Sequence, residues 1–177
     1  AKEIIKEYEA AILVENRVIS HYLVDGVEVA DIDAYLTNVD SPYIQHIAII
    51  ARTPQEIVKD SIATFLGYLS PLQEGLLSIK EKLTMGEAVP QNDWQSLLDG
   101  LEWVNQFINS IKNLVQVEGV ALDEIIVRWR EQLGEMLTAW ENGDVVLLAD
   151  IMEYEILEIL KEFQSYFEMY TLREEGH

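Results

Sequence analysis

The 177-residue sequence contains no cysteine, only four prolines, and only 12 lysines and arginines against 32 aspartates and glutamates. Without cysteine the chain cannot form disulfides, thiolate nucleophiles, or zinc and iron–sulfur sites that need thiolate ligands. A cysteine-free chain fits a reducing compartment, so a cytoplasmic location is the expectation. With 49% hydrophobic residues and this length, the chain can bury a core of its own.

Basic residues are scarce, and the formal net charge is −20. A field of this sign repels nucleic acids and anionic lipid headgroups, and no cluster of lysine and arginine interrupts it. The charge therefore predicts that neither nucleic acid nor a membrane is a partner. It favours divalent cations or a basic protein partner instead.

Long hydrophobic runs are also missing. The longest stretch without a charged residue runs from Ser61 to Gln73, which is shorter than the roughly 20 residues of a membrane-spanning helix. The charged N-terminus does not resemble an export signal. The last residues, Glu175-Gly176-His177, resemble the start of a purification tag, so residues 175–177 are set apart from the fold.

The first 52 residues mix helical and β patterns. Apolar residues at helical spacing predict a helix over residues 2–14. Asp25-Gly26 tolerates the two positive φ angles of a type I′ turn, so Val18–Val24 and Val27–Ala30 are predicted to form a β-hairpin. Asp31–Val39 is predicted as a short helix and Tyr43–Ala51 as a candidate third strand.

From Thr53 onward the patterns are helical. Thr53-Pro54-Gln55-Glu56 is a capping box with proline at the first helical position, and Ser70-Pro71 is interpreted as a break between two helices. Five helices are predicted, over Pro54–Leu69, Pro71–Leu83, Asp93–Val115, Leu122–Glu141 and Val145–Leu172. Asn142-Gly143-Asp144 should end one helix and cap the next.

The predicted fold class is mainly α, an antiparallel helical bundle (53–174) with a small N-terminal α/β extension (1–52) containing the hairpin. One domain with an appendage is the first interpretation, and two domains divided near Arg52 the second. The start of the last helix is apolar nearly all round, which predicts that it lies at the centre of the bundle.

Familiar catalytic and nucleotide-binding motifs are absent. His21 and His46 could act together as an acid and a base, or as ligands, if their strands are neighbours; a surface or core-edge position is the commoner role. Neither has a glutamate three residues before it, which argues against a di-iron bundle. Ser20 and His21 should point to opposite faces of a strand and so form no nucleophile–base pair.

Two acidic pairs, Asp99 with Glu102 and Asp150 with Glu153, are each spaced to share one helix face. Facing each other, they could hold Mg²⁺ or Mn²⁺. This arrangement is similar to that of the all-α nucleotide pyrophosphohydrolases, and the resemblance implies an alternative function as a metal-dependent hydrolase. Those enzymes use glutamate-led pairs and basic substrate contacts, which this sequence does not match.

The ordinary interpretation differs between the two pairs. Asp99 and Glu102 share their face with glutamines and asparagines, which is typical of a solvated surface. Asp150 and Glu153 lie among Leu147, Tyr154 and other apolar residues, so if that face is buried they must be hydrogen-bonded, neutralised or bound to metal.

Trp103, Phe107 and Leu114 lie beside the main apolar stripe of their helix. They could form a docking strip or a ligand pocket, although aromatic residues at helical spacing more often belong to a core. The favoured function is a non-catalytic protein-interaction or scaffold module, acting through these residues or through the N-terminal strands. An exposed hairpin edge could pair with a second copy, so a homodimer is plausible.

Two segments, Gly100-Leu-Glu-Trp-Val-Asn-Gln and Trp140-Glu-Asn-Gly-Asp-Val-Val-Leu-Leu-Ala-Asp-Ile-Met-Glu-Tyr-Glu-Ile, resemble an uncharacterised acidic helical family of Gram-positive bacteria. The resemblance covers the chain from Thr53 to the end. It implies a bacterial, cytoplasmic origin, gives slightly more weight to Asp150, Glu153 and Glu155, and brings no activity with it.

Overall fold

The fold is known from a computed structural model, which describes residues 2–38, 44–117 and 119–175. The chain forms two compact units, residues 1–60 and residues 61–177. Each unit is described by itself.

The first unit is a small α/β structure around a three-stranded antiparallel sheet with strand order β2-β1-β3. The turn between β1 and β2 has positive φ angles at Asp25 (48°) and Gly26 (85°), which confirms the predicted hairpin. Its elements are α1 (Lys2–Val14), β1 (Val18–Val24), β2 (Val27–Val29), α2 (Ile32–Asn38) and β3 (Ile47–Arg52). Two ends of the predicted elements, Val39 and Tyr43, lie outside the described residues.

One face of the sheet carries the core of this unit. Tyr22 lies opposite both Val29 and Ile49, and the core is formed by Ile5, Tyr22, Val24, Val29 and Ile32. A β-bulge interrupts the pairing of β1 with β3 between Ile19 and His21. Because the bulge adds one residue to β1, Ile19 returns to the core side and packs there.

The second unit is an antiparallel helical bundle, which confirms the predicted fold class. Its elements are α3 (Pro54–Met85, which begins in the first unit), α4 (Gln91–Ile111), α5 (Leu122–Glu141), α6 (Val145–Asp150), a π-helical segment (Ile151–Ile156) and α7 (Leu157–Glu175). Lys82 bonds Asp93 near the connection of α3 and α4, whereas Phe65 stacks on Phe107 at their far ends. These contacts show that the two helices run in opposite directions.

The predicted helix break at Ser70 is wrong, because α3 continues through Pro71. The capping box at its start is confirmed: the Thr53 N–H donates to the Glu56 carboxylate (2.8 Å) and the Glu56 N–H to the Thr53 hydroxyl (3.2 Å). The bond from the Thr53 backbone is the main cause that lowers the pKa of Glu56. Pro71 is exposed, while apolar residues on the opposite side of α3 stay buried along its length: Ile62, Phe65, Leu69, Leu72, Leu76 and Ile79.

The predictions for the connection between α5 and α6 are confirmed. α5 has the predicted bounds, Gly143 adopts a positive φ of 68°, and the Asp144 carboxylate accepts the Leu147 N–H at 3.0 Å. The aspartate is therefore the N-cap of α6.

Replacing Asp144 with alanine is expected to lower the free energy of unfolding by about 1 kcal/mol, because the Leu147 N–H then loses its acceptor. Asp144→Ser should recover most of this loss, since a serine hydroxyl can accept the same bond. Urea denaturation of the three proteins gives the comparison. Equal midpoints for the alanine and serine variants would contradict the capping role.

The start of the last helix is only partly buried, so its predicted position at the bundle centre is partly wrong. Leu148, Ala149, Ile151, Met152 and Ile156 are buried, but Val145, Val146, Leu147 and Tyr154 are exposed. The buried set faces the bundle from a single side of the helix, and α5 packs on this part of the chain.

Candidate functional site

An open apolar groove of about 500 Å³ lies between α1 and β3 in the first unit. Ile4 and Tyr8 on its helix wall are 59% and 62% exposed, although both belong to the apolar side of α1. Among the described residues, its lining is Ile4, Ile5, Tyr8, Ile12, Ile44, Gln45, His46, Ile47 and Ile49. No charged residue lines the groove among the described residues, which distinguishes it from the generally acidic chain.

The strand beside this groove is an edge of the sheet. Within the described part of the chain β3 pairs only with β1. The Asp25 N–H donates to the His46 carbonyl at 2.9 Å, and in an antiparallel pair the bonded positions alternate. Ala48 and Ile50 are therefore the positions that form backbone hydrogen bonds with β1. The N–H groups of Ile49 and Ala51 point away from β1.

Asp25 fixes the beginning of this edge strand. Its carboxylate accepts the backbone N–H of His46 at 2.7 Å and that of Gln45 at 3.1 Å. The hairpin turn thus holds the chain that leads into β3, and the local turn chemistry positions one wall of the groove.

Helix α1, the other wall, is tied to the sheet by one strong polar contact. The Tyr22 hydroxyl donates to the Glu9 carboxylate at 2.6 Å. Burial, supported by this hydrogen bond, raises the pKa of Tyr22 to about 12. The tyrosine therefore stays protonated and keeps this bond at neutral pH.

His21 and His46 do not meet. His21 lies opposite Ile50, whereas His46 lies beside the Asp25 turn at the other end of the strand pair. The prediction that Ser20 and His21 point apart is wrong, because the bulge brings the Ser20 hydroxyl to 3.2 Å from His21 Nδ1. The described residues place no carboxylate in hydrogen-bond contact with His21, so this exposed contact lacks the orienting acid of a catalytic triad.

The aromatic residues predicted as a docking strip lie in two different environments. Trp103 and Phe107 join an aromatic cluster with Phe65, whose ring stacks 4.2 Å from Phe107, and are only half-exposed. Phe167 contributes an edge-to-face contact with Phe107 at 5.5 Å. Leu114 is 63% exposed and lies beyond the end of α4. A partner-binding role for these residues stays a prediction.

The acidic pair on α4 has a solvated environment. Asp99 accepts a hydrogen bond from Gln95 at 2.7 Å, and Glu102 accepts one from Gln106 at 3.0 Å. Both acids are exposed. Each carboxylate thus has a neighbour on its own helix.

The two acids at the π-helical segment, Asp150 and Glu153, lie in different environments. Asp150 is exposed, whereas Glu153 is half-buried and forms an ion pair with Lys80 of α3 at 2.6 Å. This contact raises the pKa of Lys80. A π-helix turns less per residue than an α-helix, so residues three apart are separated by a wider angle around the axis than on an α-helix.

Within the described ranges, no three histidine, aspartate or glutamate side chains are grouped so that they could hold a metal ion. The magnesium or manganese hydrolase alternative, with Asp99, Glu102, Asp150 and Glu153, gains no supporting geometry and stays a prediction. Across the described residues, no helix combines the length and apolar character needed to cross a bilayer.

Fold and candidate surfaces define this protein as an acidic helical bundle joined to a small α/β unit with an open apolar groove. Residues 60–166 match the family described as a domain of unknown function (DUF8042), and the chain belongs to that family. This confirms the resemblance to an uncharacterised domain family. No curated protein and no solved structure matches the chain.

Proposed function

We propose that this protein is a non-catalytic protein-interaction module that self-associates through its first unit. The observation that carries the proposal is the uncharged edge of β3 beside an open apolar groove. An edge strand offers unpaired N–H and C=O groups to another strand. Peptide recognition of this kind takes affinity from backbone bonds and specificity from pockets for alternate side chains.

A second copy of the chain suits this edge better than an unrelated partner does. Between Ile47 and Ala51 the strand has no charge, although the chain as a whole carries −20. Two copies repel each other over most of their surfaces, so a contact between them needs a neutral patch. Two β3 strands related by a two-fold axis would pair antiparallel, with the same residues contributing from both sides.

The groove explains why such a pair would be stable. A two-fold axis perpendicular to the sheet would give a continuous six-stranded sheet and place both grooves on one face. The exposed Ile4 and Tyr8 of each copy would then approach apolar side chains of the other copy, removing apolar surface from water.

A protein partner also fits the electrostatics better than nucleic acid or an anionic membrane. Binding to phosphates needs lysine and arginine clusters that release counterions. The sequence has 12 such residues against 32 acids. The same repulsion predicts that added salt strengthens self-association by screening the net charge.

Ala51→Pro tests the proposal. Proline removes an N–H that points away from β1 and leaves the bonds between β1 and β3 in place. Two hydrogen bonds are lost per dimer, so dimerisation should weaken by about 2 kcal/mol, or roughly thirtyfold in the dissociation constant. Ala51→Val is the matched control, since it adds a side chain of similar size and keeps the N–H.

Sedimentation equilibrium at high micromolar concentration gives the measurement. Wild type and Ala51→Val should form dimers, more so at high salt, and Ala51→Pro should be largely monomeric. A wild-type monomer at all salt concentrations would reject self-association. Equal dimerisation of the proline and valine variants would reject β3 as the contact.

A further inference from the structure

A second apolar surface lies at the turn between α5 and α6, in the helical bundle. This α5–α6 corner consists of five side chains within the last turns of α5 and the first turn of α6, with exposures from 38% to 73%: Leu137, Trp140, Val145, Val146 and Leu147. Sequence patterns place such residues in a core, but here they face solvent. Exposed apolar groups gathered in this way mark interaction sites.

The corner is held rigidly. Trp140 stacks on Trp94 of α4, with ring centroids 4.8 Å apart and planes within 14°. The turn itself is fixed by the Gly143 N–H, which donates to the Trp140 carbonyl at 3.0 Å, and by the Asp144 cap. A preorganised aromatic side chain that is partly exposed is a typical anchor for a partner, because little entropy is lost on binding.

The surroundings of the corner are acidic. Glu141, Asp144 and Asp150 are exposed, and none of them forms an ion pair with a described residue. Lys80 and Lys82 on the neighbouring helix are already paired with Glu153 and Asp93, each at 2.6 Å. The apolar centre is therefore edged by uncompensated negative charge.

We infer that the α5–α6 corner binds an amphipathic helix of another protein whose apolar face is flanked by lysine or arginine. Apolar side chains of that helix would cover Val146 and Leu147, and its cations would approach the three carboxylates. A second copy of this chain would bring its own carboxylates against them, and an anionic membrane would be repelled. Charge complementarity thus selects a basic protein segment.

The experiment uses the full chain and a labelled synthetic peptide of leucine and lysine at amphipathic helical spacing, about four turns or roughly 14 residues long. Fluorescence anisotropy near 0.15 M salt measures binding. A scrambled peptide of the same composition controls for attraction by net charge alone. The double variant Val146→Ser with Leu147→Ser, which removes apolar contact and leaves the charge unchanged, should weaken binding at least about tenfold.

The matched control places the same two replacements on exposed apolar positions elsewhere in the bundle, Val127→Ser with Leu172→Ser. It should bind within about twofold of wild type, because these changes leave both the net charge and the corner unaltered. Glu141→Gln with Asp150→Asn should weaken binding and reduce its salt dependence. All replaced side chains are exposed, and circular dichroism checks that each variant is folded.

Several outcomes would overturn the inference. They are equal binding by the corner and control variants, equal binding of the scrambled peptide, or no binding to wild type at about 1 mM. If wild type forms a dimer and the corner variant is a monomer, a second copy of the chain occupies the corner instead. The peptide should bind Ala51→Pro as it binds wild type, so failure of the proposed self-association and failure of this inference are distinguishable.

Discussion

Replacing Phe107 with alanine is expected to lower the free energy of unfolding by about 3 kcal/mol. Its ring stacks on Phe65 at 4.2 Å and meets Phe167 edge-on at 5.5 Å, so the change removes contacts among three helices. Phe65 is fully buried and would border the resulting cavity. Thermal or urea unfolding measures the loss.

Leu114→Ala provides the matched control for Phe107→Ala. Both residues were assigned to one docking strip by sequence pattern, but Leu114 is 63% exposed. Its truncation should change stability by no more than about 0.5 kcal/mol. If Phe107→Ala lowers the free energy of unfolding no more than Leu114→Ala does, the aromatic cluster is not a structural core. That result would favour a docking role for Phe107.

Pro71→Ala should raise the free energy of unfolding by about 1 to 3 kcal/mol. In the continuous helix α3, Pro71 lacks the N–H that would bond the preceding turn, and its ring crowds the carbonyl of Gly67. Alanine restores both the donor and the helical geometry. Pro71 is exposed, so no buried apolar contact is lost.

Pro54→Ala is the control for this change, because Pro54 occupies the first turn, where a missing N–H costs nothing. Its effect should be far smaller than that of Pro71→Ala. A Pro71→Ala protein that is no more stable than wild type would mean that the chain breaks near Ser70.

The elements predicted correctly from sequence are those set by local chemistry. Asp25-Gly26 determines its turn through two positive φ angles, and Asp144 determines a helix start through one side-chain bond. Helix α5 has one clear apolar face and the predicted bounds. In each case the cause lies within a few residues of its effect.

The elements that were predicted incorrectly depend on packing between residues far apart in the sequence. Pro71 signals a helix start locally, yet the buried stripe on the other side of α3 continues past it and packs as one surface. The bulge at Ser20 brings the Ser20 hydroxyl to His21, and nothing in the residues themselves signals an added position.

The candidate site was only partly predictable for the same reason. An interaction through the N-terminal strands followed from the β pattern, but the groove depends on how α1 lies against β3. That placement rests on Tyr22 and Glu9, which are 13 residues apart. Likewise, the π-helical segment moves Glu153 toward Lys80 and leaves Asp150 exposed, whereas helical spacing alone would keep the two acids together.

Amide hydrogen exchange in the first unit, measured as a function of protein concentration, tests the self-association surface most directly. The N–H groups of Ile49 and Ala51 point away from β1, so pairing with a second copy would protect them. Their exchange should be fast in dilute protein and slow at high micromolar concentration, while the amides of Ala48 and Ile50 change little. Rates for Ile49 and Ala51 that do not depend on concentration would contradict the proposal.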